Sequence, residues 1–244
     1  MTRVRSAFLL LICLLLVTSS CSSAALDDLL AAAGVPDRAL DRETVVAGLR
    51  EALEVGSDRT VERTSAVDGF LADELIRIAI PPELQAMTDA LRTLGLGRRV
   101  DDLEVGMNRA AEGAAGEARE ILWSEIRELT IPDAMAILGG GPTAATEHLR
   151  ERTEARIRAR FRPIVVSKMD EVGLARLYAD LAERYNRLPL VSRPALDLDA
   201  YVTDRALSGL FTVLGNEERR IREDPVARTT ELLRRVFGQA PAAA

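Results

Sequence analysis

An all-α fold, a single irregular multi-helix bundle behind an N-terminal signal peptide, is predicted by three features of this sequence. Apolar residues recur three and four positions apart through successive segments. Short Gly and Pro punctuation separates those segments. The one stretch that alternates like a strand, Leu75-Ile76-Arg77-Ile78-Ala79-Ile80, is bounded by Pro81 and Pro82 and has no partner strand. An isolated strand is not stable, so 65–82 reads as extended coil.

Residues 1–20 read as an address. Arg3 and Arg5 form a positive start, and Ala7 to Val17 is an unbroken apolar run. That run is shorter than the roughly 20 residues a membrane span needs, but it suits the core of a secretory signal peptide. Thr18, Ser19 and Ser20 then lead to Cys21, in a pattern that resembles a lipobox, with Thr18 where Leu is preferred. Cleavage before Cys21 discards Cys13 and leaves a single thiol at the new N-terminus, the expected site of lipidation. No intramolecular disulfide is then available, although an exported compartment permits them. Residues 21–25 form a tether. Ser22 after the Cys resembles a sorting signal for the outer membrane, so the expected location is its periplasmic face, in a Gram-negative envelope.

The body, 26–238, reads as helices throughout. Leu26, Leu29 and Leu30 begin a short helix ended by Gly34 and Pro36. A second starts near Asp41, carries Val45, Val46, Leu49 and Leu53, and is expected to stop at Gly56. Glu83–Leu94 is closed by Gly95 and Gly97. Arg98 to about Ala115 places Val100, Leu103, Met107, Ala110 and Ala114 on one stripe. Glu117–Leu129 follows a break at Gly116, and Thr130–Leu138 has Pro132 in its first turn. Gly139-Gly140-Gly141-Pro142 is a hinge. A long helix then runs to Arg160, with a bend expected at Phe161-Arg162-Pro163 and another helix to Val172. Leu174–Arg187 comes next, then a loop over 188–196. Asp197 or Asp199 caps a helix through Leu214, and Asp224-Pro225 opens a last one ending at Phe237-Gly238. Residues 239–244 read as a disordered tail. Of the eight aromatics left after cleavage, seven follow residue 120, so the denser core is expected in the C-terminal half.

Composition limits function. The chain has 244 residues and a net charge of −6, with 32 basic and 38 acidic residues. Cleavage removes two of the basic ones, Arg3 and Arg5, and deepens the deficit. Nucleic acid is therefore not an expected partner. A body this acidic is expected to stand off an anionic bilayer on its tether rather than lie flat on it. Lys168 is the single Lys and His148 the single His. One His leaves little room for zinc sites or for His-based catalysis. A di-iron helix needs Glu three residues before the His, and Ala145 stands there. His148 reads as a solvated surface residue. The triple glycine lacks the GK[ST] ending of a phosphate loop, although amides after Pro142 remain open to an anion.

Several runs resemble a bacterial family, domain of unknown function 4197. They are Met107-Asn108-Arg109-Ala110-Ala111-Glu112; Ala136 to Val165, with Gly140, Thr143-Ala144-Ala145-Thr146 and Phe161-Arg162-Pro163-Ile164-Val165; Tyr185-Asn186; Leu188-Pro189; Leu198–Phe211; and Arg228-Thr229-Thr230 to Phe237-Gly238. The resemblance spans about Leu26 to Gly238. It implies export, often as a lipoprotein, and a helical fold. It supplies no catalytic residues.

Two groups are candidate sites. Asn108 and Glu112 flank the apolar stripe one turn apart, and Arg109 lies opposite it. A helix covered on both sides would bury Arg109 and demand a partner. The group reads as an ion-pair network, or else as the floor of a ligand pocket. Arg152, Arg156 and Arg160 lie four apart within an Arg run from 150 to 162. Glu147, Glu151 and Glu154 interrupt it, and Glu154 pairs with Arg158. The run reads as an ion-paired face, or else as a docking face for an anionic partner. Paired acids at Asp101-Asp102, Glu217-Glu218 and Asp197 with Asp199 read as solvated.

The expected function is a non-catalytic, periplasm-facing helical lipoprotein without metal or cofactor. It is held on the membrane by its lipid and works on an envelope protein or lipid through a surface or groove. A lipid or other apolar-ligand carrier is the alternative, and it requires a cavity of several hundred Å3. A carboxylate-dependent envelope hydrolase is the second, and it requires an acidic pair with perturbed pKa values in a cleft.

Overall fold

The computed structural model describes residues 42–171, 173–188 and 196–224. Cys21, the expected signal and tether segments, the helices expected at Leu26–Gly34 and Pro225–Gly238 and the expected 239–244 tail lie outside these residues.

The described chain forms α1 (Arg42–Ser65), α2 (Pro82–Leu91), α3 (Gly97–Ala115), α4 (Ala118–Glu128), α5 (Ile131–Gly139), α6 (Ala144–Glu171), α7 (Leu174–Asn186) and α8 (Leu198–Glu223). No strand occurs among the described residues. The all-α bundle is therefore the observed fold. Helices α1, α3, α6 and α8 pack on one another at its centre. Helices α4 and α5 cover α1 and α6, while α2 and α7 cover α3.

Local chemistry sets most boundaries. Between α2 and α3 the chain kinks over Arg92–Leu96, where Gly95 takes φ 81°. Gly173 takes φ 70° and separates α6 from α7. Both positions lie in the left-handed region that glycine enters without penalty. A capping box opens α5: Thr130 Oγ1 accepts from the Asp133 N–H while the Asp133 carboxylate accepts from the Thr130 N–H. Asp197 caps α8 by accepting from the Ala200 N–H at 2.9 Å.

Two expected breaks are absent. Gly56 does not end a helix, because α1 continues to Ser65. Leu49 and Leu53 before it, and Thr60, Val61 and Thr64 after it, are all buried on the bundle. That burial outweighs the ~1 kcal/mol that a mid-helix glycine costs. Buried Thr60 and Thr64 satisfy their hydroxyls by donating to the carbonyls of Gly56 and Thr60, at 2.7 and 2.8 Å. Nor does Phe161-Arg162-Pro163 divide α6, which runs 28 residues through Pro163. Leu149, Thr153, Ile157, Phe161, Val165 and Met169 form one buried row along it. Packing along that row holds the helix together across the missing N–H of the proline.

The core is also more evenly shared than the aromatic count implies. The stripe of α3 is fully buried, from Val100 to Ala114, and Phe70 ranks with Phe161 and Phe211 among the largest wholly buried side chains. Phe70 reaches α8 at Gly209, where a Cβ would lie 2.5 Å from its ring. Among the described residues, alanines and one early aromatic thus bury the N-terminal part of the core without the aromatics of the other half.

Candidate functional site

Residues 66–81 contain no helix or strand and cross the bundle as an irregular strap. Alternation is real in it: Ile76 and Ile78 are buried while Leu75 is exposed. Its partner is a side chain, not a strand. Asn108 Oδ1 accepts from the Ile78 N–H and Asn108 Nδ2 donates to the Ile78 carbonyl, both at 2.9 Å. One turn on, Glu112 Oε1 accepts from the N–H groups of Phe70 and Leu71 at 3.1 and 3.3 Å. Arg109 donates to Glu112 Oε2 at 2.6 Å and to Asp68 Oδ1 at 2.7 Å. Those bonds to Glu112 and then Asp68 raise the Arg109 pKa further above its usual value. Farther along the strap, Tyr201 donates to the Ala79 carbonyl at 3.0 Å, and Arg77 pairs with Glu104 at 2.7 Å.

The structure therefore brings Asn108, Arg109 and Glu112 together around backbone. Asn108 and Glu112 are 0% and 4% exposed, and every polar atom named on them faces the strap or their own helix. Arg109 keeps 30% of its side chain exposed, so the condition of complete burial is not met, yet it is paired. Beside the strap lies a shallow depression lined by Arg63, Val67, Asp68 and Glu74, with Asp73 already paired to Arg63 at 2.7 Å.

The Arg run is not one uniform face. Arg156 is tied to α4, through Ser124 Oγ at 2.8 Å and Glu125 at 3.4 Å. Arg158 bridges Glu154, at 3.1 Å, and Asp204. Arg152 and Arg160 are exposed and make no ion pair among the described residues. Asp133 has its pKa lowered mainly by the Thr130 hydroxyl and N–H, with smaller pulls from His148 and Arg152. His148 is half-buried rather than solvated.

The largest miss of sequence reasoning is the Glu217-Glu218 pair, which is buried, not solvated, at 7% exposure each. Glu218 sits at the start of α6. Its Oε1 accepts from the Ala145 N–H at 3.0 Å, and its Oε2 accepts from the Thr146 N–H and hydroxyl at 2.8 and 2.7 Å. Arg222 pairs with it at 2.9 Å and also donates to the Ile137 carbonyl. The amides that looked open to an anion after Pro142 thus already hold one, in keeping with the positive end of a helix dipole. Glu217 lies between Arg59 and Arg220, at 3.8 and 3.5 Å. The only available signal was periodic: Leu214, Glu218 and Ile221 share one face of α8.

Next to Glu218, an apolar cavity of about 20 Å3 is bordered by Leu49, Leu53, Ala145, Leu214 and Ile221. That is room for little more than one water. A larger groove, about 260 Å3, lies on the surface between α6 and α8. It is lined by Thr143, Glu147, Arg150, Phe211, Thr212 and Arg219, among others. Of the remaining acids, Asp101 pairs with Arg92 at 2.7 Å. The Asp199 pKa is raised, first by burial and then by Asp197, against a pull from Arg162.

An irregular helical bundle, with its buried acids committed to backbone and arginine, is the class these observations define. The profile of the family described as "Protein of unknown function (DUF4197)" matches residues 39–238, and the chain belongs to that family. No curated protein and no solved structure matches it.

Proposed function

We propose that this chain is an exported lipoprotein of the bacterial cell envelope, fastened through Cys21, whose helical body works by binding at its surface and not by catalysis. The observation that carries the anchor is the N-terminal pattern: Arg3 and Arg5, the apolar run Ala7–Val17, then Ser19-Ser20-Cys21. Acyl chains contribute roughly 0.8 kcal/mol per buried methylene, so two or more give durable attachment. The periplasmic face of the outer membrane is the proposed location, and an envelope protein or lipid the proposed partner.

What supports a binding role is the commitment of the buried acids. Glu112 and Glu218 each accept two adjacent backbone N–H groups and an arginine, which commits both carboxylates to holding the fold. The 20 Å3 apolar cavity is far below what a lipid carrier requires, so among the described residues nothing favours that alternative.

Intact-mass analysis of the protein extracted from its own envelope tests the anchor. A chain beginning at Cys21 with acyl mass attached, lost in Cys21→Ala, is the expected result. An unmodified N-terminus beyond position 21 overturns it.

A further inference from the structure

We propose that the groove between α6 and α8 is a binding site for a phosphate ester carried on a hydroxylated body, such as a sugar phosphate or a glycerol phosphate headgroup. The proposal rests on reading the chain as a protein that binds rather than reacts, and it names the ligand class.

Cations without acids are the first observation. Most arginines of the described chain meet a carboxylate, as in the Arg63, Arg77, Arg92, Arg99 and Arg109 pairs. The two that line this groove do not. Arg150 lies over the Phe211 ring, 4.8 Å from its centroid, and Arg219 donates to the Asn216 side-chain oxygen. They come from different helices and converge on one groove of about 260 Å3, near the lower end of the range for small-molecule sites. Contact with the Phe211 face engages the guanidinium of Arg150 without using a carboxylate, so its N–H groups remain to fork onto phosphate oxygens.

The second observation is what surrounds those cations. Three hydroxyls at or beside the groove already spend their protons within the protein. Thr143 donates to Glu147 Oε1 at 2.9 Å, Thr146 to Glu218 at 2.7 Å, and Thr212 to the Ser208 carbonyl at 2.8 Å. The Thr143 and Thr212 oxygens are therefore left as acceptors in the groove lining, together with the second oxygen of Glu147, while Thr146 is buried. Two cationic donors beside a rim of acceptors complement an anion attached to hydroxyl donors. A bare anion would leave the rim unmet, and a neutral polyol would leave the arginines unmet. The helix N-terminus is not part of the site, because Glu218 occupies the Ala145 and Thr146 amides. Glu218 is itself neutralised by Arg222 at 2.9 Å, so the charge facing the groove is set by Arg150, Arg219 and Glu147.

The test is calorimetric titration of the full chain, held in an oxyethylene detergent, with glycerol 3-phosphate, glucose 6-phosphate, inorganic phosphate and glycerol. A parallel arm uses vesicles of phosphatidylglycerol against phosphatidylcholine. Saturable binding of a phosphate ester, at least tenfold tighter than inorganic phosphate or glycerol, is expected. Preference for the phosphatidylglycerol vesicles over both soluble esters assigns the source to a lipid headgroup. The reverse preference assigns it to a soluble ester. Arg150→Gln with Arg219→Gln should weaken binding at least tenfold with an unchanged circular dichroism spectrum, and Arg150→Lys should fall between. No saturable binding in either arm, or equal binding by the double variant, overturns the proposal. Release of free phosphate from the bound ester would refute the non-catalytic reading while leaving the groove as a binding site. Intact mass on the same preparation reports the Cys21 anchor separately.

Discussion

Two buried glutamates, Glu112 on α3 and Glu218 on α8, solve the same physical problem in two parts of the bundle. Each accepts two neighbouring backbone N–H groups, and each takes one arginine from its own helix, three or four residues on or back. The difference lies in what they hold. Glu112 secures an irregular strap that has no hydrogen-bond ladder of its own. Glu218 closes the N-terminus of the 28-residue α6, whose first amides have no intrahelical partner. Their arginines differ too: Arg109 retains 30% of its side-chain exposure and Arg222 15%. A carboxylate at the strap can be lost locally, whereas one at the start of a central helix acts on the whole bundle.

The largest expected effect tests that contrast. Glu218→Ala leaves two amides and a buried hydroxyl unmet and takes the carboxylate from Arg222, and breaking a buried pair costs about 3–5 kcal/mol. At roughly 2–4 °C per kcal/mol for a domain of this size, the melting temperature should fall by about 6–20 °C. Glu112→Ala should lie at or below the bottom of that range, because Arg109 keeps Asp68 at 2.7 Å and is within reach of water. Hydrogen exchange separates the two: faster exchange confined to 66–81 in Glu112→Ala, and across α1, α6 and α8 in Glu218→Ala. Equal global loss in both variants would break the comparison.

Asn108→Ala comes next. It strands the Ile78 N–H and carbonyl, both bonded at 2.9 Å, and should cost about 1–3 kcal/mol. Urea unfolding measures it. Asn108→Asp sharpens the point, since a carboxylate accepts from the Ile78 N–H but repels its carbonyl, and should be no better than Ala.

Asp133 is the same device at the surface. Its carboxylate takes the Thr130 N–H at 3.1 Å and the hydroxyl at 2.6 Å, with its pKa lowered chiefly by that hydroxyl. A depressed folded pKa adds stability above the unfolded value near ~3.9, and that stability is lost as pH falls through the folded value. Asp133→Ala should therefore cost about 1 kcal/mol at pH 7, as cap losses do, and progressively less as pH falls below the usual carboxylate range. A pH series of thermal melts checks this.

How much of this was legible follows from where the information lies. The α3 stripe, the Gly95 and Gly173 boundaries and the Asp197 cap depend on residues within a few positions, and sequence spacing carries them. Asn108, Arg109 and Glu112 stood out because polar side chains flanked a stripe that burial would cover. What they hold, the Phe70–Ile78 backbone, lies 30 to 42 residues away and has no local signature. Glu218 was hidden for the same reason, with its amides 72 and 73 residues off, and adjacent Glu217 made the pair look like a solvated run. The continuity of α1 through Gly56 and of α6 through Pro163 is likewise a tertiary effect, since a local breaker, weak at the glycine and stronger at the proline, yields to a buried row on both sides.

The smallest effect marks a half-buried acid in the opposite situation. Asp199 has burial and the charges of Asp197 and Asp170 against it, outweighing the pull of Arg162, and its pKa is raised where Asp133's is lowered. For a carboxyl with a raised folded pKa, stability falls as pH climbs from the unfolded value through the folded one, because the fold disfavours the charged form. Asp199→Asn removes the charge and keeps the shape. Its melting temperature should exceed the parent's slightly at pH 7, and the gap should close near pH 3, where the parent's carboxyl is protonated in both states. Asp197→Asn, which keeps an oxygen for the Ala200 N–H, should give part of the same gain by removing the repulsion. A loss of stability in Asp199→Asn at pH 7 would mean that its charge is stabilised in the fold, and would place it with Glu112 and Glu218 instead of against them.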